Sequence, residues 1–149
     1  MLMDAQKVKT LRQQTGISFA QCKEALDDAG NDLDQALTIL KEKGAAIAEK
    51  KSGRELKAGT ISAYIHQGII GAMVELQSET DFVSKNPEFK NLADELAMQV
   101  AAVDPADAEA LLTSPYIKEP DKTIDDLVKA AVQKFGERVE VSRFIRFSL

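Results

Sequence analysis

His66 and Cys22 are the single histidine and the single cysteine of this 149-residue chain. Acid–base or nucleophilic chemistry would therefore have to run through them or through carboxylates. His66 stands at a strand end beside a turn, where a surface histidine is the plainer reading than a general base. Cys22 falls on the apolar stripe of a helix and acts there as a small buried hydrophobe rather than a nucleophile. The sequence has no GxxxxGK[ST] loop, so it holds no nucleotide through that motif. Carboxylates are many but none falls in calcium-loop spacing, and a lone cysteine excludes an internal disulfide and a multi-cysteine metal site. Asp125-Asp126 opens a helix, where the dipole favours acids and the role is stability. These residue types point away from an enzyme and from any resident cofactor or metal.

One segment is harder to assign to structure alone. It runs Gln77-Ser78-Glu79-Thr80-Asp81-Phe82-Val83-Ser84-Lys85-Asn86-Pro87. Thr80 and Asp81 suit the cap of a helical turn. Phe82 and Val83 are two large apolar residues in a polar connection whose flanking stripes are already complete. They either staple the next helix to a sheet or form an exposed apolar knob beside a carboxylate, as a binding hot spot requires.

The elements that position these residues follow from periodicity. The first 45 residues read as three short helices. The first covers about residues 4–14, with Val8 and Leu11 inward and Gly16 as its left-handed stop. The second starts at a Ser18/Gln21 capping box and carries Phe19, Cys22, Ala25, Leu26 and Ala29 on one stripe. The third opens with Asp32 and Gln35, carries Leu33, Ala36, Leu37 and Leu40, and stops at Gly44. Residues 45–59 read as a basic connector, a short helix that dissolves into a linker. The period then changes to two: Ile61, Ala63 and Ile65 share one strand face, Gln67-Gly68 turns the chain, and Ile70, Ala72, Val74 and Leu76 alternate on the return. Asn86-Pro87 opens a helix bearing Phe89, Leu92, Leu96, Val100 and Val103. Residues 104–122 hold three of the four prolines and read as irregular. Thr123 caps a last helix, through Phe135, and a strand from Arg138 to Phe147 has Val139, Val141, Arg143, Ile145 and Phe147 on one side. The predicted fold is α+β: a three-helix module with its basic connector over residues 1–53, then a core over residues 54–149. In that core a three-stranded antiparallel sheet has helices on one face.

Charge and hydropathy narrow the partners. Hydrophobic residues make up 44% and charged residues 29%, the balance of a folded globular chain. A net charge of −5 argues against nucleic acid as partner. Residues 1–53 carry 8 Lys/Arg against 8 Asp/Glu and residues 54–149 carry 11 against 16, so the acidity lies in the core. No apolar run approaches the ~18 residues that cross a membrane, and the first residues lack a signal-peptide pattern. The expected setting is cytoplasmic, with a protein as partner.

A series of stretches, in order, resembles the elongation factor Ts family. Leu11-Arg12-Gln13-Gln14-Thr15-Gly16, Cys22-Lys23-Glu24-Ala25-Leu26 and Gly30-Asn31-Asp32-Leu33-Asp34-Gln35-Ala36 are similar to its amino-terminal module, a bundle like the ubiquitin-associated (UBA) domain. Gly44-Ala45, Lys50-Lys51 and Gly53-Arg54 resemble the connector. Thr80-Asp81-Phe82-Val83 matches the signature TDFV, and Glu119-Pro120 through Arg143-Phe144-Ile145-Arg146-Phe147 resembles the carboxyl-terminal segment. Ser78 stands where the family often has Cys, and the span from Val103 to Glu119 is shorter than in the longer members. The resemblance implies a guanine-nucleotide exchange factor that binds elongation factor Tu, both GDP-bound and nucleotide-free, and releases GDP by disturbing its Mg²⁺ and phosphate site. It implies that Asp81 and Phe82, flanked by Thr80 and Val83, wedge near that magnesium, and that Arg12, Phe19, Lys23, Lys51 and His66 belong to the partner surface. It also implies a homodimer, because short members resemble one core subdomain that associates in pairs. A UBA-like adaptor without exchange activity is the alternative.

Overall fold

Most of the helices begin where a short polar side chain accepts from the orphan N–H groups of the first turn. The computed structural model describes residues 4–149. Asp4 accepts from the N–H groups of Gln6 and Lys7 and starts α1 (Ala5–Thr15). Ser18 Oγ accepts from Gln21 N and starts α2 (Phe19–Asp28), and Asp32 does the same from Gln35 N for α3 (Leu33–Lys51). Gly16, at φ 69°, ends α1 in the left-handed conformation.

The chain divides into two compact units. The first runs to Ser52 and takes in Lys129–Gly136; the second comprises Gly53–Val128 and Glu137–Leu149. In the first unit Val8, Leu11, Ile17, Cys22, Ala25, Leu26, Ala36 and Leu40 form one buried cluster among three helices. Phe19, expected on the α2 stripe, is instead exposed. Two further expectations change here. Gln21 does not reach back to complete a capping box: its Oε1 accepts from Gln133 Nε2 at 2.9 Å. Gly44 does not stop the third helix, which continues to Lys51 through the expected connector. Gly44 is buried, and a Cβ there would lie 2.6 Å from Gln133 Oε1, so the position needs a small residue for close packing rather than for a turn.

In the second unit β1 (Ala58–His66) and β2 (Ile70–Ser78) form the expected hairpin, with Gln67 and Gly68 both at positive φ. After β2 come α4 (Asp81–Ser84) and α5 (Pro87–Val103), the latter capped by Asn86 with Pro87 at its first turn. Residues expected to be irregular form α6 (Ala108–Thr113) and a small hairpin of β3 (Pro115–Tyr116) and β4 (Glu119–Thr123). Buried Gln99 holds that hairpin: its Nε2 donates to the carbonyl of Pro115 and its Oε1 accepts from Ile117 N. Thr123 and Asp126 then exchange reciprocal bonds at the start of α7 (Ile124–Phe135). Strand β5 (Glu140–Ser148) completes an antiparallel sheet in the order β1-β2-β5.

One face of this sheet buries Ser62, Ala72, Val74, Leu76 and Val141, and α5 lies across its β1 and β2 strands. Ser62 donates to Asp94 of α5. The other face carries Ile61, Ile65, Met73, Ile145 and Phe147, all exposed. The expectation that Val139, Val141, Arg143, Ile145 and Phe147 share a side does not hold. The β2–β5 register shifts between Glu75, opposite Arg143, and Leu76, opposite Val141, leaving Ser142 as an extra residue. That bulge moves the alternation by one, so Val141 faces the core and Arg143, Ile145 and Phe147 face away. Ser142 Oγ donates to the Glu75 carbonyl at 3.2 Å and to Glu75 Oε1 at 2.6 Å, which satisfies the bulge locally.

Candidate partner-binding site

Strand β2 ends on Ser78, a buried residue whose hydroxyl donates to the carbonyl of Thr80 at 3.0 Å. That bond turns the chain out of the sheet and into α4. Thr80 N-caps α4 in extended conformation, and Ser84 N and Lys85 N donate to the carbonyls of Thr80 and Asp81 at 3.2 and 3.0 Å. Four residues make barely one turn, so their side chains split between two sides. Val83 and Ser84 are buried, while Asp81 is exposed and Phe82 is 93% exposed. Of the two readings of this apolar pair, Val83 takes the staple and Phe82 the knob.

The turn is also held from outside. Glu137, just before β5, accepts at Oε1 from the N–H groups of Glu79 and Thr80 (3.2 and 3.0 Å) and at Oε2 from the Thr80 hydroxyl (2.7 Å). Glu79 returns the contact, accepting at Oε2 from Arg138 N at 2.6 Å. Arg54 Nη1 lies 3.7 Å from Glu79 Oε1, and the Arg54 carbonyl accepts from Arg138 Nη1 at 2.7 Å. Sequence reasoning did not single out Glu79, Glu137 or Arg138. No local pattern links residues 58 positions apart, and the one available signal is an acidic residue directly after Gly136, which follows α7 at φ 71°.

The remaining expected site residues belong to other elements. Phe19 and Lys23, four apart on α2, share an exposed face, and Arg12 is exposed in the last turn of α1. Lys51 is half-buried at the end of α3. His66 lies at the turn of the β1–β2 hairpin, at the opposite end of β2 from Thr80, about 26 Å away along the strand. Its Nδ1 is 2.9 Å from the Tyr64 hydroxyl, and both residues line a cavity of about 330 Å³ with Ile70, Met98, Ile117 and Arg146. The structure thus gathers Thr80, Asp81, Phe82 and Val83 and separates His66 from them. Burial raises the Cys22 thiol above its ordinary pKa, against the lowering pull of the Thr15 hydroxyl and Arg12. Among the described residues no three His, Cys, Asp or Glu side chains gather as metal ligands would, and no helix is long and apolar enough to cross a membrane.

Residues 79–149 match the family model described as Elongation factor TS, a stretch that begins with this turn. The chain is 38% identical to the Elongation factor Ts of Thermodesulfovibrio yellowstonii over all of its own length and 97% of that protein. It is 35% identical to that of Coprothermobacter proteolyticus, over all of this chain and 99% of the relative. The Elongation factor Ts of Carboxydothermus hydrogenoformans is 36% identical over 99% of this chain and 89% of the relative. The first of these alignments runs over 193 positions against a chain of 149 residues, so that relative carries residues that this chain lacks.

Proposed function

The chain belongs to the elongation factor Ts family of translation elongation, and from that premise we propose that it binds elongation factor Tu and accelerates release of its GDP. The observation that carries this reading is the presentation of Phe82. A fully accessible aromatic beside the Asp81 carboxylate, on a turn tied down by Ser78 and Glu137, can enter a partner with little further ordering. Asp81 and Phe82 act as the wedge near the partner's magnesium, flanked by Thr80 and Val83. Displacing the elements there weakens the Mg²⁺ and phosphate contacts that retain GDP. The physics is linkage: this protein favours the nucleotide-free conformation and lowers GDP affinity by the factor by which GDP lowers its own. The protein contributes no reacting group and works as an exchange factor rather than an enzyme.

Residues 1–53 are a UBA-like docking module and residues 54–149 the core. The exposed Arg12, Phe19 and Lys23, with Lys51, form the module's partner surface, and His66 belongs to a separate contact at the hairpin turn. The protein acts in the cytoplasm on both GDP-bound and nucleotide-free partner. It is also a homodimer through the open face of its sheet. Ile61, Ile65, Met73, Ile145 and Phe147 form an apolar surface of the kind that isolated chains rarely leave uncovered. The Glu75–Arg143 pair (3.3 Å) within it suits a two-fold, self-complementary contact. The test is release of labelled GDP from elongation factor Tu with and without this protein; an unchanged rate at saturation removes the proposal.

A further inference from the structure

We propose that Glu137 is a positioning residue for nucleotide exchange: its carboxylate holds the Glu79–Thr80 link in the one conformation that presents Asp81 and Phe82. The inference rests on the exchange reading above and adds to it a residue that lies 55 positions beyond Phe82 in the chain.

The α4 turn cannot hold itself. It has four residues and only a few internal backbone bonds, and a single helical turn is unfavourable on its own because nucleation fixes several dihedrals for one bond. Its N-cap residue, Thr80, does not cap it through the side chain. The Thr80 hydroxyl is instead given to Glu137 Oε2 at 2.7 Å, while Glu137 Oε1 takes two successive backbone N–H groups. Both oxygens of one carboxylate are therefore spent on the two residues that lead directly into the wedge. Such bonds to a charged acceptor are the stronger kind.

The contact is reciprocal, which gives it direction as well as strength. Glu79 accepts from Arg138 N, so each segment supplies a carboxylate to the other's backbone. Two adjacent clamps running in opposite senses fix rotation as well as distance. Arg54 and Arg138 close the network at its outer edge. Without Glu137 the Ser78–Thr80 bond and buried Val83 would still keep the turn near the sheet. The direction of Phe82 would be set only as the partner closes around it, and that ordering would be charged to the exchange step.

The experiment compares wild type, Glu137→Ala, Glu137→Gln and Thr80→Val in GDP release from elongation factor Tu across factor concentrations. Backbone amide hydrogen exchange on the same samples reports the turn. Loss of a charge-assisted bond scales to a change of about tenfold or more. We expect Glu137→Ala to lower the maximal release rate by that amount, with a smaller change in the half-saturating concentration. Glu137→Gln, which keeps one acceptor oxygen, and Thr80→Val, which removes only the hydroxyl donor, should fall between. Amides of Glu79 and Thr80 should lose protection while that of Val74 in β2 keeps it. A staple without a positioning role would lose the protection at Glu79 and Thr80 yet reach the full maximal rate, and that result overturns the inference. Should Glu137→Ala also lose protection at Val74, Glu137→Gln and Thr80→Val decide by the same two readouts. Wild type that fails to accelerate release at all would refute the exchange reading itself, a different outcome from wild-type activity with no loss in the variants.

Discussion

Phe82 and Val83 are consecutive residues on opposite sides of one helical turn, the first 93% exposed and the second 8% exposed. Their truncations should therefore separate stability from function. Val83→Ala removes two buried methyl groups and should cost about 2 kcal/mol of stability, seen as a lower urea midpoint. Phe82→Ala removes almost no buried surface and should leave the midpoint within about 0.5 kcal/mol of wild type. A destabilisation by Phe82→Ala as large as that of Val83→Ala would show that Phe82 packs against the core.

The open sheet face gives a second expectation. Phe147 is 70% exposed and Ile65 71%, and both lie opposite Gly71 in the sheet register. Light scattering of the wild type should give twice the chain mass of 16.3 kDa in the micromolar range. Phe147→Asp or Ile65→Asp should shift the species to the single-chain mass without unfolding it, because neither side chain contributes to the core. A wild type that stays at 16.3 kDa at every concentration contradicts the dimer.

Much of this architecture was legible because it is local. Ser18, Asp32, Asn86 and Thr123 mark helix starts within three residues of the N–H groups they serve. The α1 and α2 stripes predict the cores they build, with Phe19 as the exception. What escaped depends on distant partners. Gly44 reads as a stop signal and is instead a contact with Gln133, 89 positions away. The bulge at Ser142 carries no signature in the alternation of β5, so spacing alone puts Val141 and Phe147 on one side of the strand. The Thr80–Val83 segment stands out as apolar residues without a stripe to join. Which of Phe82 and Val83 faced solvent depended on the Ser78 and Glu137 bonds, neither visible from spacing.

Cys22 supplies a pH-dependent expectation. Its thiol pKa is raised by burial, so the folded state keeps the proton when the unfolded chain has begun to lose it. That contribution to stability is fully present below the unfolded thiol value of about 8.5 and is lost as pH rises toward the folded value. Stability measured by urea unfolding should fall more steeply above that pH in wild type than in Cys22→Ala. Iodoacetamide should label native Cys22 far more slowly than the urea-unfolded chain at the same pH; equal rates would mean that the thiol is not buried.

The central claim is that the exposed Asp81–Phe82 pair drives nucleotide release. Stopped-flow release of labelled GDP from elongation factor Tu, at saturating factor, tests it most directly. The expected result is strong acceleration by the wild-type protein, no GTP hydrolysis by the factor alone, and a maximal rate lowered about 30-fold or more by Phe82→Ala, the loss of a hot-spot aromatic worth about 2 kcal/mol. Asp81→Ala should slow release as well. Wild-type acceleration retained in full by Phe82→Ala would contradict the account.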